Sequence, residues 1–76
     1  MSETIVNTTA TTLRRREMGG WEIYDGAIHI GWVVRLDAGW SAFVSRSGGG
    51  ITGRQVGWNL PLRREAIHEV EINREV

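Results

Sequence analysis

Few residues in this chain could do chemistry. There is no cysteine, which removes thiolate nucleophiles and thiolate metal ligation. His29 and His68 are the only histidines. Strand alternation turns His29 away from the core, and helical spacing sets His68 on the wet side of the C-terminal segment. The two therefore face different directions, and no paired carboxylate spacing accompanies either. A histidine metal site or general base is not expected from that pattern. Ser41 and Ser45 sit in an alternating strand-like run, not on a sharp strand-to-helix elbow, and nothing resembles G-x-S-x-G. Glu65, Glu69 and Glu71 read as a solvated acidic helix face. The stretch SRSGGGITG lacks the lysine and Ser/Thr that a phosphate loop carries after its last glycine; Gly53 is followed by Arg54 and a strand. It reads as a mobile hairpin loop. The expectation is a chain without catalysis, metal or small-molecule cofactor.

Binding chemistry has more to work with. All nine basic residues are arginine, balanced by nine acidic ones for a formal net charge of zero. A protein that mainly coats phosphates usually has a positive excess. The balance is uneven along the chain, however. Between Gly26 and Arg64 lie Arg35, Arg46, Arg54, Arg63 and Arg64 against Asp37 alone, while acidic residues gather near the C-terminus. A local basic patch can still bind phosphate. The candidate binding residues are Arg35, Phe43, Arg46, Arg54 and Gln55 on a sheet face, with Arg14, Arg15 and Arg16 contributed by an N-terminal arm.

These residues must be positioned by one small domain of 76 residues without disulfides. Buried aromatics remove roughly 150–250 Å² each from water, so the four tryptophans are the expected main source of stability. No apolar run approaches the ~20 residues of a membrane helix, and the opening MSETIVNTTATT lacks the charged-then-apolar order of a signal peptide. A cytoplasmic location without membrane contact is expected.

Residues 1–20 read as a flexible arm with room for one helical turn in TLRRREMGG, capped by Thr12 and stopped by Gly19. The rival for residues 4–8 is an edge strand, because Ile5 and Val6 favour strands. Residues 21–76 read as the folded domain. Asp25-Gly26 between WEIY and AIHI marks a two-residue hairpin. Ile28, Ile30, Trp32, Val34 and Leu36 then alternate with His29, Gly31, Val33 and Arg35, the even positions toward the core, and Gly31 marks a bulge or bend. Asp37-Ala38-Gly39 makes a second turn. Trp40, Ala42 and Val44 share the next inward face; Ser41, Phe43 and Ser45 share the outward one. RQVGW closes the sheet, with Val56 and Trp58 facing in. Asn59 is placed as helix cap and Pro61 in the first turn. Leu62, Ala66, Ile67 and Val70 fall on one side of the helix; Arg64, His68 and Glu71 fall opposite. Arg63 falls inside the apolar stripe and can send its guanidinium to water. The fold class is α+β: a three- to four-stranded antiparallel sheet covered on one face by a single C-terminal helix, in the order β-β-β-β-α.

Trp40-Ser-Ala42-Phe-Val44, the glycines that follow, Trp58 and then LRREAIHEV resemble the pattern of small three-strand-plus-helix modules. Those include AP2-like domains and the arm-type DNA-binding domains of tyrosine recombinases. The resemblance spans about residues 32–70. It implies an uncovered sheet face laid in the DNA major groove. Leu60-Pro61 stands where that pattern has a Thr/Ser helix cap. In size and texture the chain also resembles small accessory proteins of bacteriophages infecting GC-rich actinobacteria. The leading functional expectation is a non-catalytic, phage-encoded accessory protein. It would act by protein–protein contact on the open face, with a host or phage protein or in a homodimer. The alternative is a DNA-binding module.

Overall fold

The computed structural model describes residues 11–46 and 53–76. The elements are β1 Thr11–Arg15, β2 Trp21–Asp25, β3 Ile28–Leu36, β4 Gly39–Ser45, β5 Gly53–Leu60 and α1 Arg63–Asn73. The strands form one antiparallel five-stranded sheet in the order β1-β2-β3-β4-β5. The helix packs on β3, β4 and β5. The α+β class and the single C-terminal helix agree with the sequence reading. The sheet has one strand more than expected.

That strand is β1. Residues 11–15 were assigned to the arm, with a helical turn beginning at Thr12. They instead pair along β2, Thr11 opposite Asp25 through Arg15 opposite Trp21. Three consecutive arginines carry helix propensity, but Leu13 packs against the core beside Ile23, and Arg15 lies with its guanidinium over Trp21. Tertiary packing on a ready-made edge outweighs one marginal helical turn. The rival strand at residues 4–8 lies outside the described residues.

The two-residue hairpin falls where Asp25-Gly26 placed it: Asp25 pairs with Ile28, and Gly26 takes the positive φ of 61° that the first loop position demands. Beyond it the ladder slips. Tyr24 pairs with His29 but Ile23 pairs with Gly31, leaving Ile30 as the extra residue of a bulge. Ile30 and Gly31 are both buried, and inward parity then passes to Val33. Trp32 and Val34, expected inward, face away from the helix; Val33, expected outward, is fully buried.

The core is aliphatic: Ile23, Ile30, Val33, Ala42, Val44, Ala66 and Val70 are all fully buried. The tryptophans are not its centre. Trp21 and Trp40 pack at its margin, Trp32 is half-buried on the opposite sheet face, and Trp58 is 62% exposed. A second bulge explains Trp58. Ala42 pairs with Gly57 while Phe43 pairs with Gln55, so Gly57 takes the inward position that Trp58 was expected to share with Val56. Asn59, assigned as helix cap, stays in β5 with a φ of 54°. Leu62 is the capping position, and Glu65 and Ala66 donate their amides to its carbonyl at 3.1 and 3.3 Å. Ala66 and Val70 bury the helix face as anticipated, Ile67 packs beside them, and Leu62 is exposed. Among the described residues no helix is long and apolar enough to cross a membrane.

Helix docking depends on the absence of a side chain at Gly31. A Cβ there would meet the Phe43 carbonyl oxygen at 2.2 Å and Val70 Cγ1 at 2.6 Å. Gly31→Ala is expected to destabilise the fold by about 1–3 kcal/mol, the usual cost of overpacking, read as a lower denaturant midpoint. An unchanged midpoint would show that α1 does not sit this close to β3.

Candidate functional site on the open sheet face

The sheet face opposite α1 carries no secondary-structure element among the described residues. Cross-strand register places Glu22 and Tyr24 of β2, His29, Trp32 and Val34 of β3, Ser41, Phe43 and Ser45 of β4, and Gln55 of β5 on this side. Phe43 and Gln55 are therefore where the sequence put them. Ser41 is on this face but only 3% exposed, and so is not part of its accessible surface.

Four rings run diagonally across the face. Tyr24 and His29 lie 5.1 Å apart at a tilt of 58°. The His29 and Trp32 rings are nearly parallel at 6.1 Å, and Trp32 stacks on Phe43 at 5.1 Å and 7°. The bulge makes this row: His29 and Trp32, three apart in sequence, reach the same face because Ile30 and Gly31 both turn inward. Offset stacking of this kind adds about 0.5–1.5 kcal/mol per pair beyond area burial. Space for the indole comes from β5, where a Cβ on Gly53 would meet Trp32 Cη2 at 2.4 Å.

The three N-terminal arginines divide between the two faces. Arg14 lies over Tyr24 at 4.6 Å and Arg16 over Trp32 at 5.6 Å, both on the open side. Arg15 lies over Trp21 at 4.8 Å on the helix side, joined by Arg63 at 5.2 Å. Arg54 also belongs to the helix side, bonded through Nε to Glu75 at 2.9 Å. Arg35 pairs with Trp40 on the helix-facing side, at the far end of β3 from His29, and Arg46 is exposed just beyond β4. Of the eight binding residues expected from sequence, Phe43, Gln55, Arg14 and Arg16 converge on the open face; Arg15, Arg35 and Arg54 do not. Alternation after the bulge accounts for Arg35, and the pairing of β1 accounts for Arg15.

A polar chain missed in the sequence reading crosses the same face. Ser45 Oγ lies 2.7 Å from His29 Nδ1, His29 Nε2 is hydrogen-bonded to Glu22 Oε1, and Arg16 Nε donates to Glu22 Oε2 at 2.9 Å. His29 was read as a surface histidine without a carboxylate beside it. Sequence spacing does not reveal the neighbour, because Glu22 reaches it across the β2–β3 hairpin. The hairpin signal at Asp25-Gly26 was the one available clue. Among the described residues no group of three or more His, Asp or Glu could hold a metal ion.

The platform depends on the missing side chain at Gly53. Gly53→Ala is expected to push the indole off β5 and away from Phe43. The near-UV circular dichroism of the stacked rings should fall while the far-UV spectrum is kept, at a stability cost of about 1–3 kcal/mol. An unaltered near-UV spectrum would contradict the ring placement. No family model, no curated protein and no solved structure matches the chain.

Proposed function

We propose that the chain is a binding module that contacts a protein partner through its open sheet face, with Trp32 and Phe43 as the central anchors. The observation that carries this reading is the parallel Trp32–Phe43 pair, half-buried and held on a face that no other element covers. Interface centres are enriched in Trp, Tyr, Phe and Arg and depleted in unpaired charge. Here the Arg16 cation is neutralised by Glu22, leaving Arg14 as the surplus charge among the face residues named above. A nearly neutral aromatic surface with one spare guanidinium suits a protein surface that offers apolar contact and a carboxylate. The rings stand against one another, so their faces are already used in stacking, which disfavours base intercalation between them. On the resemblance in size and texture to actinobacteriophage accessory proteins, the partner class is a host or phage protein, or a second copy of the chain.

The test uses a photo-crosslinking residue at position 43, compared with one at position 72 on the helix side, followed by affinity measurement against the adduct's identified partner. Crosslinking from position 43 alone is expected. Trp32→Ala should then weaken binding by about 2 kcal/mol, roughly thirtyfold, while Arg54→Ala, on the other side, leaves it nearly unchanged. Equal crosslinking from both positions would overturn the reading. So would tight binding of duplex DNA with affinity falling steeply as salt rises, which is the signature of a phosphate-contacting module.

A further inference from the structure

We propose that Ser45, His29 and Glu22 form a nucleophile, general base and orienting carboxylate, able to take an acyl group from an activated ester carrying a flat apolar group. The hydrogen-bond chain fixes the proton positions. An ionised Glu22 can only accept, so His29 must present Nε2–H to it. The neutral ring then has its lone pair on Nδ1, and the Ser45 hydroxyl 2.7 Å away must donate to it. The serine is thereby hydrogen-bonded to a base that is itself held by a third group, which is the geometric signature of an activated nucleophile. The two ring nitrogens exchange roles relative to the serine-protease arrangement, but the proton path is the same. Arg16 holds the other oxygen of Glu22 at 2.9 Å and fixes the carboxylate's direction.

Three adjacent strands supply the three groups: Glu22 comes from β2, His29 from β3 and Ser45 from β4. The site is open to a substrate, since the His29 and Glu22 side chains keep 34% and 27% of their surface exposed. The substrate class follows from the neighbours. Ser45 pairs across the ladder with Gly53, and the Trp32 ring edge lies over that glycine with Phe43 stacked behind it. An aryl or similarly flat ester would rest against this apolar wall.

In the reaction, Ser45 Oγ bonds to the acyl carbon while its proton passes to His29 Nδ1. The carbon–oxygen bond to the leaving alcohol or phenol breaks, and the leaving oxygen takes the proton from Nδ1. Water then attacks the acyl-serine, gives a proton to Nδ1, and releases the acid as Ser45 recovers its hydroxyl proton. Base assistance of this kind contributes about 10²–10⁴-fold.

The experiment treats the full chain with p-nitrophenyl acetate. It follows phenolate release and locates the acetyl group by peptide mass spectrometry. Acetyl-Ser45 is expected, forming faster as pH rises and levelling off once the imidazole is neutral. Ser45→Ala should remove the adduct, and His29→Gln should slow it about 10²–10⁴-fold. Glu22→Gln should slow it and change the pH profile, because an amide can offer either its carbonyl or its NH₂ to the ring and so no longer enforces one tautomer. Nitrogen NMR of the wild-type chain checks the arrangement without any variant: His29 is expected as the Nε2–H tautomer. An Nδ1–H tautomer would overturn the proposal, as would acetylation of Ser45 no faster than that of other hydroxyls. The outcome is separate from the binding reading, which stands or falls on crosslinking and on Trp32→Ala.

Discussion

One extra residue in β3 organises this molecule. Because Ile30 has no partner in the β2 ladder, two consecutive residues, Ile30 and Gly31, turn toward the helix. Ile30 enters the aliphatic core, and Gly31 lets Val70 approach β3 more closely than any side chain there would permit. The same slip reverses parity along the remainder of β3, burying Val33 and sending Trp32 to the far side. A bulge costs a ladder hydrogen bond and bends the strand. Here it gives the helix a seat on one face and an unbroken row of rings on the other. Helix docking and the aromatic face are consequences of one backbone irregularity.

Arginine makes the rest of the arrangement tolerable. Guanidinium groups are planar and weakly hydrated, so they lie on ring faces that an ammonium would contact less well. Arg14, Arg16, Arg15 and Arg63 are all used in this way, on Tyr24, Trp32 and Trp21. Rings left at the margins of a small core are thereby covered by charged side chains that stay in contact with water. Zero net charge then reflects local pairing more than dispersal: Arg16 meets Glu22, Arg54 meets Glu75 and Arg74 meets Asp25. Such partly exposed pairs add little stability individually. Their effect is to fix directions, as Arg74 does by tying the end of α1 to the β2 turn at 2.7 Å.

Sequence reasoning reached the parts governed by local rules. The hairpin at Asp25-Gly26, the inward faces of Ala42 and Val44, the outward placement of Phe43, and burial of Ala66 and Val70 all follow from turn chemistry and periodicity. Gly31 was even identified as a bulge site, but its consequence was not carried forward. A bulge shifts every later residue to the other face, and period-two reading without that shift put Trp32 inside and Val33 outside. The second bulge misplaced Trp58 in the same way. Strand β1 was hidden for a different reason: its arginines look like a solvated helix, and only an edge to pair with makes them a strand. Half of the expected binding residues reached the open face because parity was right before each bulge and wrong after it.

The polar chain from Ser45 to Arg16 shows what a sheet can assemble that spacing cannot announce. Its members lie on β4, β3, β2 and the turn after β1, and no short motif contains more than one of them. Two of them meet only because the hairpin register sets Glu22 opposite Trp32 and Tyr24 opposite His29, which brings the carboxylate diagonally to the imidazole. Without the bulge, His29 and Trp32 would lie on opposite faces, and the ring that flanks the histidine would be lost to the core. An imidazole given an anion on one nitrogen and a hydroxyl on the other has a single sensible tautomer. The ring stack and the hydrogen-bond chain therefore hold the same histidine in place by different forces, and one residue's insertion in β3 supplies the geometry for both.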